Sequence, residues 1–99
     1  MPAAALDKRI AVIKALAHPT RLKIAESLSS GSLCVSEIHE LVGGDLSTVS
    51  KHLTLMREAG WLSCEKCGLH IHYQLACNCL DEFIRCIDTL ASSKNCCPS

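Results

Sequence analysis

Two short amphipathic segments separated by Gly43-Gly44-Asp45 constrain the fold of this chain more than any other feature. Two glycines followed by an aspartate form a turn, because these residues tolerate backbone angles that most others avoid. Ser36 is a suitable N-cap for the first segment, so we predict a helix over residues 37–42. A turn of this length sets two helices across each other, and the second can then enter a DNA major groove.

The second segment is predicted to be a helix over residues 48–59, capped by Ser47 and ended by Gly60. Its apolar residues recur at the spacing of one helix face, which predicts a single buried stripe. The stripe consists of Val49, Leu53 and Met56. The residues left facing outward are Thr48, Ser50, Lys51 and Thr54.

The flanking segments complete a recognisable order of elements. Helical periodicity over residues 6–17 and 19–28 precedes the turn, and an extended stretch spans residues 32–35. Two short apolar runs, 61–65 and 69–75, flank Cys67-Gly68 and predict a hairpin. A last amphipathic helix covers residues 80–91. We therefore predict a mainly α fold with a small β-hairpin, a winged helix-turn-helix of five helices plus a wing.

Composition bounds the domain organisation. Only 3% of the 99 residues are aromatic although 48% are hydrophobic, so the core must be aliphatic, and a chain this short often completes it by dimerising. Acidic and basic residues balance at 10 each, so a DNA-binding chain would have to concentrate positive charge on one face. We predict one domain over residues 1–92 and a mobile, cysteine-containing tail over 93–99.

Eight cysteines are unusual in a chain that we expect to be cytoplasmic. No apolar run reaches the roughly 20 residues of a membrane span, and the first nine residues do not resemble a signal peptide. The cytosol keeps thiols reduced, so structural disulfides are not expected there. The cysteines instead indicate metal binding, metalloid binding or redox sensing.

Three segments together resemble the ArsR/SmtB family of bacterial metal-responsive repressors. They read ALAHPTRLKIAESLSSGSLCVSEI, LSTVSKHLTLMREAGWL and GLHIHYQL, and they cover nearly all residues from 16 to 75 in the family's order. The resemblance implies a homodimer formed through the first and last helices. It also implies binding to double-stranded operator DNA, with repression until a ligand binds.

The predicted DNA contacts lie at the start of the second helix and at the wing. Short hydroxyls and free amides at a helix start can approach bases and phosphates, although such residues also serve as ordinary caps and solvated positions. The wing offers one lysine where many members of the family carry several basic residues, which predicts a shallow salt dependence. The candidates are Ser47, Thr48, Ser50, Lys51, His52, Lys66 and His70.

Thiolates are soft ligands, suited to zinc, cadmium, monovalent copper or arsenite. Arsenic and cadmium sensors of the family often read CVCDLC where this chain has Cys34, but Ser36 and His39 replace the other two thiols. A complete site in this helix is therefore missing. Cys34 could donate one thiolate or be a buried apolar cysteine.

Cys96 and Cys97 are adjacent in a polar tail that offers no core, so we predict that they anchor a three-coordinate arsenic site. Cys77 and Cys79 could supply the missing ligand, whereas Cys86 is expected in the core. The alternative for the adjacent pair is redox activity. A lone Cys-x-x-Cys follows in the predicted hairpin, where two histidines alternate onto one strand face; these residues are Cys64, Cys67, His70 and His72.

We therefore predict a repressor released from its operator by a thiophilic metalloid or metal, foremost arsenite, with no obligatory cofactor. The alternative is a thiol redox-sensing repressor of the same fold that forms cysteine disulfides. No enzymatic activity is expected, because the Cys64–Cys67 pair lies in a hairpin rather than at a helix N-terminus, where a thiol pKa falls. The last helix lacks histidine, so the zinc site that the family places there is not expected.

Overall fold

The computed structural model describes residues 3–92, with side chains from residue 5 onward. It confirms the predicted winged helix-turn-helix of five helices and a wing. The helices are α1 (Ala3–Lys14), α2 (Pro19–Leu28), α3 (Val35–Val42), α4 (Leu46–Ala59) and α5 (Leu80–Ser92). The strands are β1 (Leu33–Cys34), β2 (Leu62–Cys67) and β3 (His70–Leu75). None of the helices within residues 3–92 is long and apolar enough to cross a membrane.

The apolar stripe of α4 forms the centre of the core, as predicted. Val49, Leu53 and Met56 are at most 1% exposed. They share one core cluster with Ile24 of α2 and Ile38 of α3, which are also fully buried. Because the stripe is anchored against two other helices, the opposite face of α4 is held rigidly toward solvent.

The wing is part of a three-stranded antiparallel sheet with strand order β1-β3-β2. The hairpin turn consists of Gly68 and Leu69 rather than Cys67-Gly68, and Gly68 has a φ of 64°. A positive φ at the first turn residue suits a two-residue hairpin loop with glycine there. The stretch predicted to be extended, residues 32–35, contains β1. Its pairing with β3 was not predicted, because two residues are too few to show a period of their own.

Two helix starts differ from the sequence prediction. Cys34, not Ser36, caps α3: the backbone N–H of Cys34 donates to the Glu37 carboxylate at 2.9 Å. Asp45, not Ser47, caps α4, and Leu46 begins the helix. The end of α1 also differs from the predicted range of 6–17: the helix ends at Lys14, and Ala15 and Leu16 are buried in the turn that follows.

Trp61 joins the end of α4 to both terminal helices. Its indole N–H donates to the carbonyl oxygen of Val12 in α1 at 2.7 Å. Its ring centroid lies 5.9 Å from that of Phe83 in α5. Trp61 directly follows Gly60, so this side chain connects the helix that faces solvent with the two helices that flank the domain.

Candidate nucleic-acid interface and thiol sites

The first two turns of α4 present the polar face that the sequence predicts. The side chains of Ser47, Thr48, Ser50 and Lys51 are all exposed. The helix start adds backbone N–H groups and the positive end of the helix dipole, which together attract phosphate. Its capping residue, Asp45, makes no side-chain hydrogen bond to the helix. This face can approach a duplex without unfolding any part of the core.

His52 lies between this polar face and the buried stripe and is half-buried. Its ring centroid is 4.7 Å from that of His18. The Nδ1 atom of His18 accepts a hydrogen bond from the Thr20 N–H at 3.1 Å, which caps α2. Burial, and then the neighbouring His18 and Arg21, lower the pKa of His52 from its ordinary 6.5. This contact could not be predicted, because the two histidines are distant along the chain.

The lowered pKa of His52 predicts a pH dependence of stability. The unfolded chain binds a proton near pH 6.5, but the folded chain resists it, so the free energy of unfolding falls as pH drops below 6.5. Urea unfolding between pH 8 and 5.5 should show a smaller loss in the His52→Gln variant than in the unaltered chain. Equal losses would contradict this assignment. His70→Gln, which removes an exposed imidazole, serves as the control for general effects of removing a histidine.

The two predicted wing contacts point in opposite directions. Lys66 lies opposite Ile71 and His70 lies opposite Cys67, so the two side chains are on different faces of the hairpin. Both are exposed, and Leu69 between them is 97% exposed at the tip. The wing tip therefore offers one cation, one imidazole and one apolar side chain.

Cys34 is half-buried at the start of α3, neither free in solvent nor within the core. Its Sγ lies 3.4 Å from the Ser36 hydroxyl. His39, at the position where the family resemblance led us to look for a thiol, has its Nε2 2.7 Å from the carbonyl oxygen of Gly44. The His39 ring therefore has a structural contact in the turn. Cys34, the N-cap of α3, is the only thiol in residues 34–42.

Cys77 and Cys79 form an exposed thiol pair immediately before α5. The backbone N–H of Cys79 donates to the Cys77 Sγ at 3.3 Å. A hydrogen bond from the Cys79 thiol, together with this N–H, lowers the pKa of Cys77, and the same contact raises the pKa of Cys79. These hydrogen bonds therefore favour the thiolate form of Cys77 over that of Cys79, at the start of the helix.

The remaining cysteines are separate from this pair. The prediction that Cys86 lies in the core was wrong, because its side chain is exposed. It lies on the solvent side of α5, whereas Phe83 and Ile84 of the same helix are partly buried. Cys96 and Cys97 lie outside the described residues. Within residues 3–92, no three His, Cys, Asp or Glu side chains are already grouped as a metal site.

The Cys-x-x-Cys of the wing is divided between two faces of β2. Cys64 lies opposite Tyr73, which is buried, and Cys67 lies opposite His70 on the outer side. The Cys64 Sγ accepts a hydrogen bond from Arg57 at the end of α4, at 3.5 Å. Because side chains alternate along a strand, residues three apart cannot share a face, so these thiols do not form a dithiol site.

Comparison with known proteins identifies the family. A model described as "Bacterial regulatory protein, arsR family" matches residues 18–63. The chain is 38% identical to the arsenical resistance operon repressor of Escherichia coli, over 78% of this chain and 73% of that protein. The chain belongs to the ArsR family. An HTH-type transcriptional regulator of Methanocaldococcus jannaschii is 32% identical, over 85% of this chain and 96% of that protein.

A solved structure agrees with this assignment. The homodimeric winged helix-turn-helix domain of a possible ArsR-family regulator from Mycobacterium bovis matches with a TM-score of 0.80 at 29% identity, covering 90% of this chain and 82% of that one. The relatives and the fold are those of transcriptional regulators, not enzymes. The present chain is thus an ArsR-family DNA-binding transcriptional repressor.

Proposed function

We propose that this repressor binds a two-half-site operator through α4 and is released when trivalent arsenic binds its thiols. The feature that favours trivalent arsenic as the inducer is the hydrogen-bonded Cys77–Cys79 pair just before α5. Similarity to an arsenical resistance repressor supports the same choice. We further propose that the protein acts in the cytoplasm, where both thiols and DNA are available.

DNA binding is assigned to the exposed face of α4 and the wing tip. Ser47, Thr48, Ser50 and Lys51 would lie in the major groove, where hydroxyls and an ammonium group reach bases and phosphates. Lys66 and His70 would meet the adjoining backbone. His52 is half-buried, so only its exposed edge can take part.

A dimer through α1 and α5 would set the spacing of the two α4 helices. Both terminal helices carry large apolar side chains that are 40–66% exposed: Leu6, Ile10, Ile13, Ile87 and Leu90. A 260 Å³ groove between them is lined by Phe83, Ile84 and other apolar residues. A second copy would remove this surface from water, and the M. bovis domain is described as homodimeric.

Arsenite suits the proposed thiols by simple substitution. As(OH)₃ reacts with three thiols to give As(SR)₃ and three waters, with no change of oxidation state. The sequence predicts Cys96 and Cys97 as the anchor, but Cys77 and Cys79 are already joined by a hydrogen bond. We therefore assign two of the sulfurs to Cys77 and Cys79 and the third to the Cys96–Cys97 pair. The lowered pKa of Cys77 favours the first As–S bond, because the thiolate is the ligand.

Arsenic binding before α5 would change the position of α4 through packed side chains. The Phe83 N–H donates to the carbonyl oxygen of Cys79 at 3.1 Å, so the thiol pair is tied to the first turn of α5. The Phe83 ring contacts Trp61, which follows the end of α4. A shift of α5 would therefore alter the position of α4, and a two-half-site operator discriminates against such changes in spacing.

The test is selection of binding sites from a random DNA pool, followed by titration of the bound complex. We expect the purified protein to enrich a two-fold symmetric site, and arsenite to weaken its binding by about 5- to 150-fold. Release by hydrogen peroxide but not by arsenite would instead establish the redox alternative. Enrichment of no sequence would contradict operator binding itself.

A further inference from the structure

The outer face of the wing carries four metal-ligating side chains in two cross-strand pairs. Cys67 of β2 lies opposite His70 of β3, and Glu65 lies opposite His72. Alternation along each strand puts both pairs on the face that points away from the core. The other face carries the buried Leu62 and Tyr73. We call this set the wing cluster: Cys67, His70, Glu65 and His72.

The spacing of the wing cluster suits one metal ion. Residues directly opposite each other in an antiparallel pair have Cβ atoms about 4.5–5.5 Å apart, and diagonal neighbours are somewhat farther apart. Zinc bonds to sulfur at about 2.3 Å and to imidazole nitrogen at about 2.0–2.1 Å, so donors on all four positions can converge above the strands. They are not gathered in the described structure, and binding would require new rotamers. Cys67, His70 and Glu65 are exposed and His72 is half-buried, which leaves room for this rotation.

The charge distribution of the sheet also favours a cation on this face. Lys66, the one lysine or arginine of the three strands, lies on the opposite face, across from Ile71. The Glu37 carboxylate of α3 is near His72: its pKa is lowered mainly by hydrogen bonds from Cys34 and to a smaller extent by the charge of His72. Two carboxylates, Glu65 in the wing cluster and Glu37 near it, would therefore attract a bound cation. None of the three strands places a lysine or arginine on this face.

We propose that the wing cluster binds one divalent transition-metal ion of the Zn²⁺ class, with Cys67, His70 and His72 as ligands and Glu65 as the fourth. One thiolate, two imidazoles and a carboxylate are a donor set that zinc accepts in tetrahedral geometry. Binding would displace the Cys67 thiol proton to solvent. The wing cluster lies on β2 and β3, apart from Cys77 and Cys79, which precede α5. Metal binding there does not depend on the arsenic response.

The test uses Co²⁺ as a spectroscopic probe in two full-length variants. In one, every cysteine except Cys67 is replaced by serine; in the matched control, every cysteine except Cys64 is replaced. Both retained thiols are exposed on the same strand, but they lie on opposite faces. We expect the Cys67 variant to bind one equivalent of Co²⁺ with a thiolate-to-cobalt charge-transfer band, which Zn²⁺ abolishes by competition, and the Cys64 variant to show no such band.

Histidine variants and alkylation test the remaining ligands. In the Cys67 variant, His70→Asn and His72→Asn should each weaken Co²⁺ binding by at least about tenfold, because each removes a ligand. In the unaltered chain, Zn²⁺ should protect Cys67 but not Cys64 from iodoacetamide, as read by mass spectrometry. Equal bands in the two cysteine variants, no band in the Cys67 variant, or unchanged binding in the histidine variants would overturn the proposal.

Discussion

Alanine at Thr48, Ser50 and Lys51 together should weaken binding to the selected operator by about 10⁴-fold. Each side chain is exposed on α4 and would lose one contact with DNA worth about 1 kcal/mol, the proposed dimer would lose each contact twice, and about 1.4 kcal/mol corresponds to a tenfold change in affinity. The buried stripe of α4 is untouched, so the free energy of unfolding should change little. Fluorescence anisotropy with the labelled duplex measures the loss.

The matched control for this variant is Lys23→Ala, which removes an exposed lysine from α2. We expect it to leave operator affinity within about twofold, because screening weakens the effect of a charge that does not contact the DNA. A triple variant that binds as tightly as the unaltered chain would show that DNA lies against another surface.

Serine at both Cys77 and Cys79 should abolish release by arsenite while leaving operator binding intact. The unaltered repressor is expected to lose about 5- to 150-fold in affinity on binding the inducer, and the double variant less than about twofold. The physical reason is that one As–S bond from the tail cannot hold the first turn of α5 in a new position. Serine at both Cys96 and Cys97 should have the same effect.

Cys86→Ser is the control, because Cys86 is an exposed thiol on α5 that the proposed site does not use. It should respond to arsenite like the unaltered chain. Undiminished release in both double variants would rule out the proposed ligands. Loss of release only in Cys86→Ser would show that Cys86, rather than the proposed pairs, binds the inducer.

The fold could be predicted because its signals are local and repeated. Val49, Leu53 and Met56 mark the buried face of α4 by spacing alone, and Gly60 ends the helix in a left-handed conformation with a φ of 103°. Helix starts were less certain, because several capping residues stand close together. The sequence favours Ser36 because serine is a common N-cap, and it could not show that Glu37 accepts a hydrogen bond from the Cys34 backbone.

Side-chain partners that come from distant parts of the chain could not be predicted. The His18–His52 contact and the Trp61–Phe83 contact both depend on how the helices pack. Cys86 was misplaced because α5 buries Leu80 and packs Phe83 and Ile84 against the core, whereas the next apolar residue, Ile87, is 41% exposed within one subunit. The separation of Cys64 from Cys67, by contrast, follows from the two-residue period of a strand.

Repression by this protein requires the exposed face of α4 to lie against DNA. An NMR titration of isotopically labelled protein with the selected duplex tests this directly, because each backbone amide reports its own surroundings. We predict the largest shifts at residues 47–51 and at the wing tip, 66–70, with small shifts in the solvent-facing part of α2. Large shifts confined to α1 and α5, with the amides of Ser47, Thr48, Ser50 and Lys51 unchanged, would contradict it.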